Sequence, residues 1–153
     1  MHLNRPLTVT KIFTFEMAHA LLNYDGDCRN IHGHSYELHI TILGTPTQQK
    51  GHSKDGMVMD FRDLKALVKK EIINPYDHAL VLNEHTPAEL IESFKKFNQK
   101  TVLTPFQPTC ENLLLEFVDR IQNALPFSVK LYSVKLHETN TSYAEWNRTL
   151  APY

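Results

Sequence analysis

Four segments of the chain either alternate between apolar and polar residues or are rich in β-branched and aromatic residues. Both patterns are typical of β-strands. The predicted strands cover residues 9–18, 35–43, 129–137 and 143–146. The alternation is clearest in the second segment, whose predicted buried face consists of Tyr36, Leu38, Ile40 and Ile42. We expect the first two strands to pair as an antiparallel hairpin.

Apolar residues that recur every three or four positions predict helices over residues 61–73, 87–98 and 110–124. Asp60 suits the N-cap of the first helix, and the Asn-Pro pair at 74–75 is expected to end it, because proline disfavours a helical residue before it. The weaker stripe of the second helix consists of Leu90, Ile91, Phe94 and Phe97. This order of elements predicts an α+β fold, with helices packed on an antiparallel sheet.

The composition is that of an ordinary globular protein and excludes several classes. The 153 residues fit a single domain, residues 1–153, and 42% hydrophobic with 22% charged residues argue against disorder. A net charge of −1 argues against nucleic-acid binding. No apolar run approaches the roughly 20 residues that cross a bilayer, so no membrane association is expected. The two cysteines cannot form a disulfide framework, which favours a cytoplasmic location.

Histidines are numerous, nine in the chain, and three of them are placed to meet. His32 and His34 flank Gly33 at the start of the second strand, and residues i and i+2 of a strand point to the same face. His19 ends the neighbouring first strand. Three imidazoles with a fourth position open are typical of a catalytic zinc site, but the spacing alone is equally compatible with packed or surface histidines. The latter interpretation is given to His2, His39, His52, His85 and His137.

Other residue types suited to proton transfer lie near these histidines in the sequence. Cys28 precedes His32 by four residues, and a thiol close to a metal ion can act as a base or nucleophile. The alternative is a buried or metal-binding cysteine. Cys110 is interpreted as a small residue that opens a helix. Asp77 beside His78 can fix the tautomer of the histidine and support proton transfer, although adjacent residues do not necessarily hydrogen-bond.

Glu138 ends the predicted third strand in phase with Tyr132, Val134 and Leu136. A carboxylate that continues an apolar face either has a partner or binds a ligand with paired N–H donors, such as a guanidine-like ring edge. The alternative is a solvated glutamate at the end of a strand.

These residues belong to short motifs that follow one another from about residue 8 to residue 146. The motifs are Phe15–His19, Cys28–Tyr36, Met59–Phe61 with Leu64-Lys65, Asp77-His78 with Leu82-Asn83, Pro108-Thr109 with Glu111-Asn112, and Lys135–Thr139. The ordered set resembles the 6-pyruvoyl-tetrahydropterin synthase / 6-carboxytetrahydropterin synthase family.

The resemblance implies the tunnelling fold, a four-stranded antiparallel sheet with two main helices on one face. It also implies that sheets from several subunits join into an oligomeric β-barrel, usually a homo-hexamer built from two trimers. The segment 84–104 looks longer than in the shortest bacterial relatives, and no role is assigned to it.

The resemblance also implies roles for individual residues. The zinc ligands would be His19, His32 and His34. The catalytic acid–base group would consist of Cys28 with Asp77 and His78, the last two from a neighbouring subunit. The pterin would contact Glu138, with Thr109 and Glu111 near its pocket.

The substrate implied by the resemblance is 7,8-dihydroneopterin triphosphate, and two reaction branches are open. One cleaves the side chain to give 6-carboxy-5,6,7,8-tetrahydropterin, acetaldehyde and triphosphate, in queuosine biosynthesis. The other keeps the side chain as 6-pyruvoyl-tetrahydropterin, in tetrahydrobiopterin biosynthesis. The short spacing from Cys28 to His32 favours the first branch. A non-catalytic, zinc-stabilised pterin-binding or scaffold domain is the alternative of another class, and the absence of an H-E-x-x-H run argues against a zinc hydrolase.

Overall fold

Six strands and four α-helices make up residues 4–150, the part of the chain that the structure, a computed structural model, describes. His2 lies outside the described residues. The strands are β1 (Leu7–His19), β2 (His32–Gly44), β3 (Ala79–Asn83), β4 (Thr101–Thr104), β5 (Lys130–Thr139) and β6 (Ser142–Asn147). The helices are α1 (Phe61–Val68), α2 (Asn74–Tyr76), α3 (Ala88–Lys96) and α4 (Cys110–Ala124). No helix within residues 4–150 is long and apolar enough to span a membrane.

The strands β1 and β2 form the predicted antiparallel hairpin and pair along their whole length. The pairing runs from Leu7 opposite Gly44 to His19 opposite His32. The predicted apolar face of β2 is confirmed, because Tyr36, Leu38, Ile40 and Ile42 are fully buried. The alternation of side chains therefore gives this hairpin one face in the core and one face outside it.

The predicted α+β fold is confirmed, but the sheet has six strands instead of four. Its order is β4-β3-β1-β2-β5-β6, in which the four predicted strands are the antiparallel ones. The added strands β3 and β4 pair in parallel with β1 and with each other. The five residues of β3 are a short apolar run that is almost wholly buried, and such a run lacks the alternation that predicts a half-buried strand.

Helices α1 and α4 pack on one face of the sheet and enclose the core with it. Both helices begin at a capping side chain, which satisfies a free backbone N–H of the first turn. Asp60 accepts a hydrogen bond from the Arg62 N–H, and Thr109 accepts one from the Asn112 N–H. The N-cap predicted at Asp60 is therefore confirmed.

The first helix does not end at the Asn-Pro pair, contrary to the prediction. It passes from α1 through a π-helical turn, Lys69–Ile73, into α2, where Pro75 occupies the first turn. The hydrogen bonds shift to π-helical pairing just before Pro75, where the Asn74 N–H donates to the Lys69 carbonyl five residues back. The helical path therefore continues to Tyr76, whose side chain is buried against Phe117.

The predicted stripe of the second helix is buried only in part. Helix α3 covers most of the predicted range, but of this stripe only Ile91 is buried, whereas Leu90 and Phe97 are exposed. Tyr132 was predicted to share the apolar face of its strand with Val134 and Leu136, and this prediction is wrong. Thr41 lies opposite Ser133 and Ile42 opposite Leu131, so Tyr132 is the extra residue of a β-bulge and is exposed.

A change at Asp60 should make the stability depend less on pH. The hydrogen bond from Lys54 and that from the Arg62 N–H hold the pKa of Asp60 below its ordinary value. The carboxylate therefore stabilises the fold above its unfolded pKa of about 3.9, and this contribution is lost as the pH falls through the lower folded pKa. We expect Asp60→Asn to lower the free energy of unfolding at pH 7. In strong acid the free energies of unfolding of the variant and the unchanged protein should differ less. Urea unfolding at both pH values measures this, and an equal difference at both would contradict it.

Candidate metal centre and active-site cleft

Three histidine side chains meet at one end of the β1–β2 hairpin. His19 lies directly opposite His32, and His34 follows two residues later on the same face. The Nε2 atoms of His19 and His32 are 3.1 Å apart. One ring nitrogen from each histidine lies within 4.8 Å of the other two, which is a separation that one ion can bridge. The structure therefore brings together the three residues that the sequence predicted to be metal ligands.

Backbone carbonyls fix the tautomers of two of these rings. Nδ1 of His19 donates to the Pro108 carbonyl at 2.7 Å, and Nδ1 of His32 donates to the Asn30 carbonyl at 2.8 Å. Neutral rings held in this way present the lone pairs of Nε2 to each other, and two lone pairs at this distance repel unless a cation lies between them. The donor set therefore fits a metal ion.

Burial around the third ring supports the same conclusion. Nε2 of His34 is buried and has no hydrogen-bond partner in the described part of the chain, and a buried polar atom is costly to leave unsatisfied. Burial also lowers the pKa of His19, although the Pro108 hydrogen bond and the charge of Glu138 oppose this shift. A low pKa keeps His19 neutral, which is the form that binds a metal.

Glu138 lies beside the three histidines. Its carboxylate oxygens are 4.0 Å from Nε2 of His19 and 3.9 Å from Nε2 of His34. Glu138 is also the extra residue of a bulge, because His137 lies opposite Tyr143 and Thr139 opposite Ser142 in β6. Bulges are frequent beside active sites, where they redirect a side chain. The carboxylate is therefore held against the histidines, in contrast to the solvated glutamate of the alternative interpretation.

The buried hydroxyl of Tyr36 donates a hydrogen bond to Glu138 Oε2 at 3.4 Å. Burial, followed by the charge of Glu138, raises the pKa of Tyr36, so the hydroxyl keeps its proton and remains a donor. The tyrosine ring stacks on Phe15 in the core. Tyr36 thus connects the rigid core to the carboxylate, a role that its place in an alternating strand did not reveal. The sequence feature that could have indicated this role is its position two residues after His34, on the same face of β2.

His19 and Glu138 line one cleft with a volume of about 290 Å³. The polar lining includes His19, Cys28, Thr109, Cys110, Glu111 and Glu138. The beginning of β6 contributes Ser142, Tyr143 and Ala144 to the wall, and the sequence analysis did not anticipate this. Five of the predicted site residues therefore share one cavity, with His32 and His34 beside it. A cavity of this kind can hold a small polar molecule.

The segment 20–31, which carries Cys28, is tied to the rest of the molecule by hydrogen bonds. The backbone N–H of Leu21 donates to the Cys28 carbonyl at 2.9 Å and closes the loop. The Gln107 amide accepts from the N–H of Leu22 at 3.0 Å and donates to the carbonyl of the same residue. Gln107 is a second positioning residue that the motifs did not single out. It keeps the half-buried thiol of Cys28 at the cleft.

Cys110 has a different environment from Cys28. Its thiol donates to the Leu136 carbonyl at 3.3 Å, and burial raises its pKa to about 11. Cys110 therefore remains a protonated thiol at neutral pH, whereas Cys28 lies in a loop at the other side of the cleft.

Asp77 and His78 do not line the cleft that contains Cys28 in the same chain. Asp77 accepts a hydrogen bond from the Glu16 N–H at 2.9 Å, and its carboxylate lies 3.0 Å from Nδ1 of His78. His78 has a left-handed backbone with φ of 59°, and its side chain is 76% exposed. His78 lines a separate cavity of about 530 Å³, whose lining also includes His34. The two residues therefore pair with each other outside the Cys28 cleft.

The chain matches one known protein family over nearly its whole length. Residues 8–149 match the family model described as 6-pyruvoyl tetrahydropterin synthase. The chain is 38% identical over 140 residues to the 6-carboxy-5,6,7,8-tetrahydropterin synthase of Haemophilus influenzae, covering 90% of this chain and 96% of the relative. It is 32% identical over 161 residues to the protein of the same name from Aquifex aeolicus, with 90% and 96% covered.

Solved structures share the fold at lower sequence identity. The 6-pyruvoyl tetrahydropterin synthase of Caenorhabditis elegans superimposes with a TM-score of 0.67 at 23% identity, covering 96% of this chain and 99% of that one. An uncharacterized protein from Wolinella succinogenes gives a TM-score of 0.76 at 20% identity, with 94% and 99% covered. The match over nearly the whole chain, together with the relatives' identity and coverage, shows that this chain belongs to the 6-pyruvoyl tetrahydropterin synthase family of lyase-type enzymes.

Proposed function

We propose that this enzyme is a zinc-dependent 6-carboxy-5,6,7,8-tetrahydropterin synthase. It would convert 7,8-dihydroneopterin triphosphate to 6-carboxy-5,6,7,8-tetrahydropterin and release acetaldehyde and triphosphate. The observation that carries the proposal is one cleft lined by His19, Cys28 and Glu138. The ring nitrogens of His32 and His34 converge on that of His19 beside this cleft. The names of the bacterial relatives support the choice of reaction.

The metal would be held by His19, His32 and His34. Three imidazole ligands leave a coordination position open, which is typical of catalytic zinc sites, and Zn²⁺ would supply Lewis-acid polarisation of the substrate's hydroxyl groups. The protein's part is to hold the rings in place. The carbonyls of Pro108 and Asn30 orient two of them through Nδ1, as outer hydrogen-bond partners do for metal-binding histidines.

Glu138 would recognise the pterin ring. The pyrimidine edge of a pterin presents an amino group beside a ring N–H, and a carboxylate can accept both hydrogen bonds in a bidentate pair. Tyr36 supports this role, because its hydroxyl orients one carboxylate oxygen from the core side. Thr109 and Glu111 line the same cleft at the beginning of α4, where they would contact the substrate.

Cys28 would move protons between the substrate side chain and the ring, together with Asp77 and His78 of a neighbouring subunit. The Asp77–His78 pair supports this arrangement, because the carboxylate lies at hydrogen-bond distance from the imidazole while the ring remains exposed. A pair that projects from one chain can complete the cleft of another. We therefore propose a homo-hexamer of single-domain subunits, built from two trimers and located in the cytoplasm, with active sites at the subunit interfaces.

A product assay tests the proposal. Zinc-loaded protein is incubated with 7,8-dihydroneopterin triphosphate, any aldehyde is trapped, and the products are identified by mass spectrometry. We expect 6-carboxytetrahydropterin with one equivalent of acetaldehyde. The appearance of 6-pyruvoyl-tetrahydropterin without aldehyde would contradict the reaction branch inferred from the short spacing between Cys28 and His32. Stoichiometric binding of a pterin without turnover would instead identify a binding domain.

Replacing Cys28 with alanine should abolish proton transfer while leaving the zinc ligands in place. We expect Cys28→Ala to lower kcat by at least about 100-fold, the usual contribution of a general acid or base. Cys110→Ser is the matched control, because this second thiol lines the same cleft and stays protonated at neutral pH. Turnover and zinc content are measured for both variants. Unchanged turnover in Cys28→Ala would remove Cys28 from the mechanism.

Removing the hydroxyl of Tyr36 should weaken substrate binding more than turnover. A hydrogen bond to a charged group contributes about 1.5–3 kcal/mol, so we expect Tyr36→Phe to raise KM roughly tenfold or more and to change kcat less. Tyr76→Phe is the control, since this tyrosine is equally buried but lies beside Arg120, away from the cleft. An equal loss of kcat in both variants would indicate a general packing defect and contradict the positioning role.

A further inference from the structure

A second group of side chains of the types that ligate metals lies on the face of the sheet that points away from the core. It consists of Glu37 and His39 in β2 and His137 in β5. These residues alternate with the buried residues Tyr36 and Leu38, so they point away from the core and from the cleft. The two histidines are among those that the sequence analysis interpreted as packed or surface residues.

The three side chains are close enough to share one ion. Glu37 lies directly opposite His137, and His39 follows Glu37 by two residues on the same face. Nε2 of His39 is 2.7 Å from Oε1 of Glu37, and the two imidazole rings are 5.4 Å apart between centroids. One ligand atom from each residue lies within 4.8 Å of the other two. All three side chains are partly accessible, so an ion can reach them from solvent.

This arrangement repeats the strand geometry of the histidine centre on the opposite face of β2. In both cases two ligands stand at i and i+2 of β2, and the third lies directly opposite the first on a neighbouring strand. The neighbour is β1 for the pair His32 and His34, and it is β5 for the pair Glu37 and His39. Directly opposed side chains in antiparallel strands lie about 5 Å apart at Cβ, which is a suitable spacing for ligands of one ion.

We propose that Glu37, His39 and His137 bind a divalent first-row transition-metal cation, such as Zn²⁺, Co²⁺ or Ni²⁺. Two imidazoles and one carboxylate are a common ligand set for these ions, and three protein ligands leave further positions for water. The ion would connect β2 to β5, the strands that carry His34 and Glu138. The inference stands on the outer-face residues alone and does not depend on the reaction proposed for the cleft.

The surroundings of the cluster are compatible with a bound cation. Lys135 lies directly opposite His39, and its ammonium group is 3.5 Å from the carboxylate of Glu145 and over the ring of Tyr143. The His137 ring also packs against Tyr143, with centroids 4.7 Å apart, which limits its rotation.

Metal titration of the intact protein tests the inference. The protein is stripped with a chelator and titrated with Co²⁺, whose visible absorption reports coordination by protein ligands, while calorimetry counts the bound equivalents. We expect two equivalents per chain in the unchanged protein. His39→Ala combined with His137→Ala should bind one, and Glu37→Gln should weaken the second equivalent at least tenfold. Thr14→Ala, opposite Glu37 on the same face, is the control and should bind two.

A complementary variant separates the two sites. His32→Ala combined with His34→Ala removes ligands of the histidine centre and should leave one equivalent, which is lost when His39→Ala and His137→Ala are added. The proposed outer site would be overturned if the unchanged protein bound a single equivalent and His32→Ala combined with His34→Ala bound none. It would also be overturned if a second equivalent persisted in the double variant His39→Ala/His137→Ala and, with unchanged affinity, in the single variant Glu37→Gln. Loss of activity in the histidine-centre variant tests the cleft alone.

Discussion

The register of the β1–β2 pair is the constraint on which the rest of the structure depends. Each strand has 13 residues, and their ladder fixes His19 opposite His32 at one end. A shift of one residue would exchange the two faces of a strand, and it would move both the apolar core and the histidines. The alternating burial of Phe13, Phe15 and Met17 opposes such a shift, because each would leave the core. Hydrophobic packing therefore holds the donor atoms of the cleft in place.

Around this pair, each neighbouring element contributes one part of the cleft. The N-terminal end of α4 provides Thr109 and Cys110, and the carbonyl of Pro108 just before it orients His19. The end of β5 provides Glu138, and the loop clamped by Gln107 provides Cys28. The site is rigid because its side chains come from the ends of strands and a helix, and because hydrogen bonds fix its one loop. Such preorganisation is what positions catalytic groups before a substrate binds.

Local patterns predicted the elements whose residues alternate in burial, and they missed those that depend on distant contacts. The hairpin and the meeting of its histidines follow from period-two alternation, which needs no knowledge of the remaining chain. Strand β3 was missed because a five-residue apolar run has no period, and only its pairing with β1 makes it a strand. The contact from Tyr36 to Glu138 joins residues that are 102 positions apart, so no local pattern could reveal it.

The bulge at Tyr132 has a consequence for how this chain can change in length. Side chains of β5 alternate between the two faces of the sheet from Ser133 onward, with Glu138 at the cleft and His137 on the outer face. Losing or gaining one residue between Ser133 and His137 would therefore exchange the faces to which these two side chains point. Tyr132 is already the surplus residue of its ladder. Its deletion would restore a regular pairing without disturbing the residues that follow. Among related chains, single-residue insertions and deletions in this strand should therefore collect at the bulge and be rare beyond it.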